Sequence, residues 1–239
     1  MQRLFWGRKG GFMTGTLINA GAIVAAGLCG LLLRRGIPDK ISRSMQDALG
    51  VLIIVIGVQY GFKAESFAII GVSLALGAVI GEWRNWDGRL EAMGERLQSR
   101  FGSGESSFAK GFVSATLLFC VGAMAIIGSL EDGLHGNYQI LLVKSMLDAI
   151  FSALFAASMG IGVIFSAIPV LIYQGSISLA SGLIEPVLTD PMLNNITSLG
   201  GMIIAALGFN IIGVTGIRVA NLLPGIFIVP IIMTIMAWI

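Results

Sequence analysis

The 239-residue sequence has few ionisable side chains and almost no histidine. Charged residues make up 12% of the chain, about half of the share in soluble globular proteins. The one histidine, His135, excludes haem and zinc sites that need several imidazole ligands. With 56% hydrophobic residues and a mean hydropathy of +0.90, the composition indicates a membrane protein. It gives no sign of a cofactor or a metal site.

Cysteine is also scarce, and the net charge is small. Cys29 and Cys120 both lie inside apolar stretches, where a thiol acts as a small hydrophobic side chain, so nothing supports a disulfide. The net charge is +2, and the basic residues are scattered along the chain instead of forming one stripe. We therefore expect no nucleic-acid partner. The expected partners are the lipid bilayer and a small solute or ion.

Long apolar runs are what the sequence has in abundance. A helix needs roughly 20 apolar residues to cross the hydrocarbon core, and the runs lack the period of two that is typical of barrel strands. We predict an all-α polytopic transmembrane bundle of seven or eight spans, depending on whether Gly160 and Gly162 form a turn between two spans or a break within one. The eight windows are 16–33, 45–62, 66–81, 111–128, 140–160, 161–183, 197–213 and 217–239.

Glycine is abundant, with 33 residues, about twice its usual frequency. Gly57 and Gly61, and likewise Gly77 and Gly81, have the spacing of four that lets two helix backbones touch. These pairs predict closely packed helices within the bundle.

The connecting segments differ in charge, which predicts their side of the membrane. Lys and Arg follow the first window and recur in the segment 82–110, so both segments should be cytoplasmic. The segments 129–139 and 184–196 contain carboxylates but no Lys or Arg, and should face outward. Eight spans then place both termini outside, although Arg3, Arg8 and Lys9 do not follow the rule.

The long inner segment also has a helical pattern. Its apolar residues recur at steps of three and four, with charged residues between them, which predicts an amphipathic helix on the cytoplasmic membrane face. A docking site for a regulatory partner is the alternative interpretation. The apolar residues are Trp86, Leu90, Met93, Leu97 and Phe101.

A short pattern occurs twice. Residues 43–48 open the second window and residues 144–149 the fifth, and both read base, Ser, Met, any residue, Asp, Ala. If spans one to three correspond to spans four to six, the second unit is inverted, because three is an odd number. Inverted repeats build many transporters, with the pathway between the units. The predicted divisions are an N-terminal extension (1–12), the first three-helix repeat with the amphipathic segment (13–110), the second repeat (111–196) and a C-terminal helix pair (197–239).

Polar residues within spans indicate where a pathway could run, since a charge in hydrocarbon is costly unless it faces the bundle interior or water. Arg43 and Asp47, and Lys144 and Asp148, stand four apart and can each pair on one helix face. Such a pair either fixes a helix end or binds and releases a cation or proton. The predicted pathway residues are Arg43, Asp47, Gln59, Lys144, Asp148, Gln174, Asn210, Arg218 and Asn221. Further polar groups in or beside spans are Asn19, Ser158, Ser166 and Ser176.

Several motifs together resemble one bacterial family. They are the segments 13–19, 33–38, 81–83, 144–149 and 217–225. In combination they resemble the inner-membrane proteins of the domain-of-unknown-function 554 family, from about Met13 to the C-terminus; the first twelve residues depart from the family's usual start. The resemblance implies a bacterial multi-pass inner-membrane protein of a kind often labelled a candidate transporter. It supplies no established substrate or catalytic residue.

The sequence thus favours a transporter or channel for a small solute or ion, with its pathway between the repeats. The alternative is a sensor, assembly factor or partner subunit that docks through the amphipathic segment, and a lipid-modifying enzyme using Glu82 or Asp148 is a third and weaker one. We expect no enzyme, because His135 falls in an outer segment and Asp47 and Asp148 lie toward opposite faces. The transported species, the coupling ion, the choice between channel and carrier, and homo-oligomer formation are left open.

Overall fold

The computed structural model describes residues 13–34, 36–101 and 107–237, and no strand occurs among them. The predicted extension 1–12, with its three basic residues, lies outside the described residues. Short 3₁₀ stretches cover Ile161–Ser166, Glu185–Val187 and Val219–Leu222. The α-helices of the described part are α1 (Thr14–Arg34), α2 (Asp39–Gly61), α3 (Phe67–Arg84), α4 (Trp86–Phe101), α5 (Phe108–Cys120), α6 (Ala123–His135), α7 (Gln139–Met159), α8 (Ala167–Leu179), α9 (Ser181–Ile184), α10 (Asp190–Ile211) and α11 (Pro224–Ala237).

Local sequence sets several helix ends. The Ser66 hydroxyl accepts a hydrogen bond from the Ile69 amide at the start of α3, and Thr189 does the same for the Met192 amide at the start of α10. Both satisfy amides that have no partner within the helix. Gly136 ends α6 with a φ of 65°, in the left-handed region that suits glycine.

Seven segments of the described part are long and apolar enough to cross a membrane, including Ile161–Leu179 and Val219–Met236. The window 111–128 differs, because α5 and α6 meet there at an angle of 63°. The bend falls at Gly122, whose φ of 139° suits a residue without Cβ. Gly160, with a φ of 92°, ends α7 and separates the fifth window from the sixth. The predicted all-α polytopic bundle is therefore confirmed.

The direction of α7 shows that α5 and α6 together make one crossing. Gly15 of α1 faces Leu141 of α7, and Gly30 of α1 faces the backbone of Ala153, so α1 and α7 run parallel. Three crossings must therefore separate them. These are α2, α3 and the bent pair of α5 and α6, which we call the broken span.

Glycine contacts fix two further helix pairs. Gly57 of α2 faces the backbone of Gly201 and Ala205, whereas Gly50 faces Gly208, so α2 and α10 run antiparallel. Gly77 and Gly81 of α3 face the segment 221–225 at the start of α11, where a Cβ would collide with backbone atoms. The close packing predicted for Gly57, Gly77 and Gly81 is confirmed. A Cβ on Gly61 would meet no atom within 4 Å.

The inverted repeat is not confirmed by this packing. The two helices that carry the repeated pattern have different neighbours, since α2 lies antiparallel to α10 and α7 lies parallel to α1. The two C-terminal helices also pack on helices of the first unit, α10 on α2 and α11 on α3. The common ancestry of the two units stays a prediction.

The amphipathic helix predicted in the long inner segment is present as α4. Its buried Gly94 lies against Ala109 and Phe112 of α5, and Leu90 packs against the hydrophobic core. Met93 and Phe101 remain 44% and 57% exposed. Part of the apolar stripe is thus covered by the same chain.

Candidate functional site

A charged pair lies in the middle of α7. Lys144 and Asp148, one helical turn apart, are each 6% exposed, and the ammonium group pairs with the Asp148 Oδ2 atom. Asp148 stands nine residues after Gln139 and eleven before Met159, so it lies at mid-span instead of toward the outer end of α7. Charged groups at this depth mark a pathway or a specific pairing.

Asp148 is also tied to two other helices. Asn19 on α1 donates from Nδ2 to Asp148 Oδ2 at 2.9 Å and to Gln174 Oε1 on α8 at 3.3 Å. Asn19 and Gln174 are fully buried. We call Asn19, Lys144, Asp148 and Gln174 the central polar cluster. It brings together three of the predicted pathway residues and joins them through Asn19.

A cavity of about 170 Å³ adjoins the ion pair, and we call it the outer cavity. Its walls come from the end of α2, the bend of the broken span, α7 and α10. Gln59, a predicted pathway residue, lines it two residues before α2 ends. Its lining residues include Gln59, Tyr60, Leu118, Val121, Gly122, Lys144, Asp148 and Ile204.

A second cavity, of about 300 Å³, lies on the side that the charge pattern predicts to be cytoplasmic. We call it the inner cavity. Asp87 and Glu91 of α4 and Lys110 of α5 give it a charged lining, and Asn210 of α10 adds an amide. Lys110 also donates to the Ile211 carbonyl at 3.5 Å, at the end of α10.

The two cavities are stacked along the same helices. On α5 the inner cavity reaches Leu117 and the outer cavity begins at Leu118. On α10 the inner cavity reaches Leu207 and the outer one Ile204. Leu117, Ile204 and Leu207 are each at most 3% exposed. We call these three residues the apolar barrier, since they lie where the two cavities approach each other.

Asn221 and Arg218 belong to a separate cluster at the ends of α3 and α4. Asn221 Oδ1 accepts from the Asp87 amide at 2.8 Å, and its Nδ2 donates to Glu82. Arg218 forms an exposed ion pair with Glu82, and Asp87 Oδ1 accepts from the Ala220 amide at 3.1 Å. These contacts fasten the 3₁₀ stretch before α11 to α3 and α4.

Asn210 closes the loop that follows α10. Its Nδ2 donates to the Ile217 carbonyl at 2.6 Å. Its Oδ1 accepts from the Ile217 amide at 3.0 Å and from the Thr215 hydroxyl at 2.7 Å. With both ends of its amide engaged, Asn210 shapes the rim of the inner cavity.

The first copy of the repeated pattern is not brought to either cavity. Arg43 and Asp47 are exposed, and among the ion pairs of the described residues none joins them. The neighbours Ser42 and Gln46 instead donate to the Ser158 carbonyl of α7, at 2.7 and 3.0 Å. Residues 42–47 therefore lie level with the last turn of α7.

Asp132 is a buried residue, although the charge pattern predicts that its segment, 129–139, faces outward. It is 2% exposed, and its Oδ2 accepts from the amides of Gly15 and Thr16 at 2.9 and 3.4 Å, capping α1. The signal in the sequence is Gly136, a glycine suited to a helix C-terminus, which would have extended the fourth window to His135. Nothing in the sequence indicates that the cap spans two distant helices.

These features define a polytopic helical membrane protein with a broken span and a buried charged cluster. A family model described as "Protein of unknown function (DUF554)" matches residues 14–234, and the chain belongs to this family. The resemblance seen in the sequence motifs is thereby confirmed.

Two curated relatives are similar over most of their length. The "Uncharacterized membrane protein YdfK" of Bacillus subtilis (strain 168) is 33% identical over 224 residues, which cover 92% of this chain and 95% of YdfK. The "Uncharacterized protein YqgA" of Escherichia coli (strain K12) is 32% identical over 219 residues, which cover 90% of this chain and 93% of YqgA. No solved structure gives a significant match.

Proposed function

We propose that this protein carries a small solute or ion across the bacterial inner membrane along the broken span. The observation that carries the proposal is the Lys144–Asp148 pair in the wall of the outer cavity, which is stacked on the inner cavity. The predicted pathway residues Gln59, Lys144, Asp148 and Gln174 lie in or beside this region.

The ion pair is poorly explained as a structural feature alone. Removing two charges from water is expensive, and apolar side chains of similar volume often stabilise a protein as well as a buried pair does. Lys144 and Asp148 also line a cavity, where a polar or charged solute can reach them. Binding of such a solute would explain why the two charges are buried here, which packing alone does not explain.

The bend in the broken span supports the same interpretation. Non-helical backbone at membrane depth is tolerated where it is buried in protein or lines a cavity. Val121 and Gly122, at the bend, line the outer cavity together with the ion pair. In many transporters, half-helices that end at the midplane contribute to the binding site.

The size of the outer cavity limits the solute. About 170 Å³ is well below the roughly 300–1,000 Å³ of pockets that hold drug-sized ligands. An inorganic ion or a solute of a few heavy atoms fits this space. Because the apolar barrier lies between the cavities, we favour a carrier over an open channel.

The alternative role as a docking subunit has less support. Gly94 and Leu90 of α4 already pack within the chain. The exposed remainder of the apolar stripe is suited to the membrane surface.

A flux measurement with the full chain in proteoliposomes tests the proposal. Probes are radiolabelled Na⁺, K⁺ and chloride, small organic acids and amino acids, and a pH-sensitive dye for protons. We expect flux of at least one probe above that of empty liposomes, and its loss in Asp148→Asn, while Asp47→Asn retains it. Absence of flux for every probe, or full flux in folded Asp148→Asn, would overturn the proposal.

A further inference from the structure

A group of buried oxygen atoms between α1 and α6 lacks hydrogen-bond partners. In the described part of the chain, such atoms include Thr16 Oγ1, Asn19 Oδ1, Ser129 Oγ and Asp132 Oδ1. All four residues are at most 2% exposed. Each unsatisfied buried polar atom costs about 1–3 kcal/mol, so four of them on two helices in contact point to a bound species.

The helix positions place these residues in two pairs, one on α1 and one on α6. Thr16 and Asn19 stand three residues apart on α1, and Ser129 and Asp132 stand three apart on α6, so each pair shares one helix face. The Asp132 carboxylate accepts from the Thr16 amide, which sets these two residues at one level. One turn deeper on each helix lie Asn19 and Ser129, because α1 and α6 cross in opposite directions. We call the four atoms the oxygen group.

The buried charges near the oxygen group do not cancel one another. The buried ionisable residues of the described chain are Asp132, Lys144 and Asp148, which sum to one negative charge. Lys144 pairs with Asp148, which leaves Asp132 with the positive end of α1, worth about half an elementary charge. The negative charge that remains favours a bound cation of low charge.

We infer that the oxygen group binds a monovalent metal cation of the Na⁺ type. Hard cations prefer carboxylate, amide and hydroxyl oxygens, which is what these four residues supply. One carboxylate suits a single charge better than a divalent ion. Among the described residues there is no set of three or more His, Cys, Asp or Glu that could hold a metal such as zinc.

The inferred site rests on the proposed transport function for its physiological meaning, as the site of a coupling ion. Asn19 belongs both to the oxygen group and to the central polar cluster, where its Nδ2 donates to Asp148. A cation bound to Asn19 Oδ1 would therefore act electrostatically on the Lys144–Asp148 pair, which lines the outer cavity. This contact gives a physical link between cation and solute.

Cation binding to the purified full chain in detergent tests the inference without any flux. The midpoint of thermal unfolding is titrated with NaCl, with choline chloride holding the ionic strength constant, and ²²Na⁺ binding is measured in parallel. We expect saturable stabilisation by Na⁺ and none by choline. Thr16→Val removes one oxygen at nearly constant volume. In this variant the half-saturating Na⁺ concentration should rise at least about tenfold. Removing a residue that only supports a metal ligand already lowers metal affinity by about this factor.

Thr116→Val is the matched control, because Thr116 Oγ1 on α5 is also buried and unpartnered but lies outside the oxygen group. Its half-saturation should equal that of the unmodified protein. Equal responses to Na⁺ and choline, or an unchanged half-saturation in Thr16→Val, would overturn the inference. Cation binding without flux would overturn the transport proposal alone, and flux without cation binding would overturn this inference alone.

Discussion

The segments 43–48 and 144–149 read almost alike, yet the bundle treats them in opposite ways. Lys144 and Asp148 are buried and paired, while Arg43 and Asp47 are exposed. The spacing of four allows an ion pair on either helix. What packs against the helix decides whether that pair is removed from water.

The two helices differ in how much of their surface is covered. Within the best 18-residue window, 22% of the α2 residues are buried, against 44% for α7. α2 packs on α10 through one glycine face and meets α7 near Ser42 and Gln46, whereas α7 also contacts α1, α6 and the 3₁₀ stretch that follows it. The glycine face of α2 has no polar side chain that needs a partner. At the centre of α7, in contrast, Lys144 and Asp148 are buried by the surrounding helices and pair with each other.

The largest expected effect on stability is that of a substitution in the buried copy of the repeated pattern, residues 144–149. Asp148→Asn leaves the Lys144 ammonium without its counter-charge, which should destabilise the protein by about 3–5 kcal/mol. Unfolding in mixed detergent micelles measures the change in free energy. A change below about 0.5 kcal/mol, the range of ordinary surface substitutions, would show that the pair is not desolvated.

A double variant separates stability from transport. Lys144→Met with Asp148→Leu removes both charges and should recover most of the lost stability, because well-packed apolar residues often replace a buried pair without loss. Its flux should stay absent. Recovery of flux along with stability would mean that the charges only shape the bundle.

The next effect concerns the glycine face of α2. Gly57→Leu places a side chain against the backbone of Gly201 and Ala205, and overpacking of this kind costs about 1–3 kcal/mol. Gly61→Leu is the matched control, one turn further on the same helix, where a Cβ meets nothing within 4 Å. Similar unfolding free energies for both variants would contradict the antiparallel packing of α2 on α10.

Features that depend on one helix at a time could be predicted from the sequence. Apart from 111–128, which is bent, the apolar windows correspond to the observed spans. The break at Gly160 separates two of them, and the stripe from Trp86 to Phe101 forms α4. Each depends on hydrophobic length, periodicity or backbone freedom, which the residues themselves determine.

Features that depend on distant partners could not be predicted. The cap of α1 by Asp132 joins residues 117 positions apart, and Asn19 bonds to Asp148 across 129 positions. The bend at Gly122 also lies within an apolar run that reads as one span. No periodicity within a single helix contains this information, so the repeated pattern predicts the same ion pair on both helices.

A smaller effect on stability is expected for a substitution in the exposed copy of the repeated pattern, residues 43–48. Gln46 donates to the Ser158 carbonyl at 3.0 Å in a partly buried position. Gln46→Leu should lower the free energy of unfolding by about 1 kcal/mol, the net contribution of one hydrogen bond. Ser44→Ala, which removes only an exposed bond to the Lys40 carbonyl, should have a smaller effect. Equal effects would mean that the α2–α7 contact contributes little.

The smallest expected effect is that of Asp47→Asn. Because Asp47 is exposed and lies outside both cavities, its charge is solvated or screened, and the unfolding free energy should change by less than about 0.5 kcal/mol. Flux should also be unchanged. A loss of flux in a stable Asp47→Asn protein would show that this carboxylate reaches the pathway in another conformation. In that case the two copies would act in turn from opposite sides, as an inverted repeat requires.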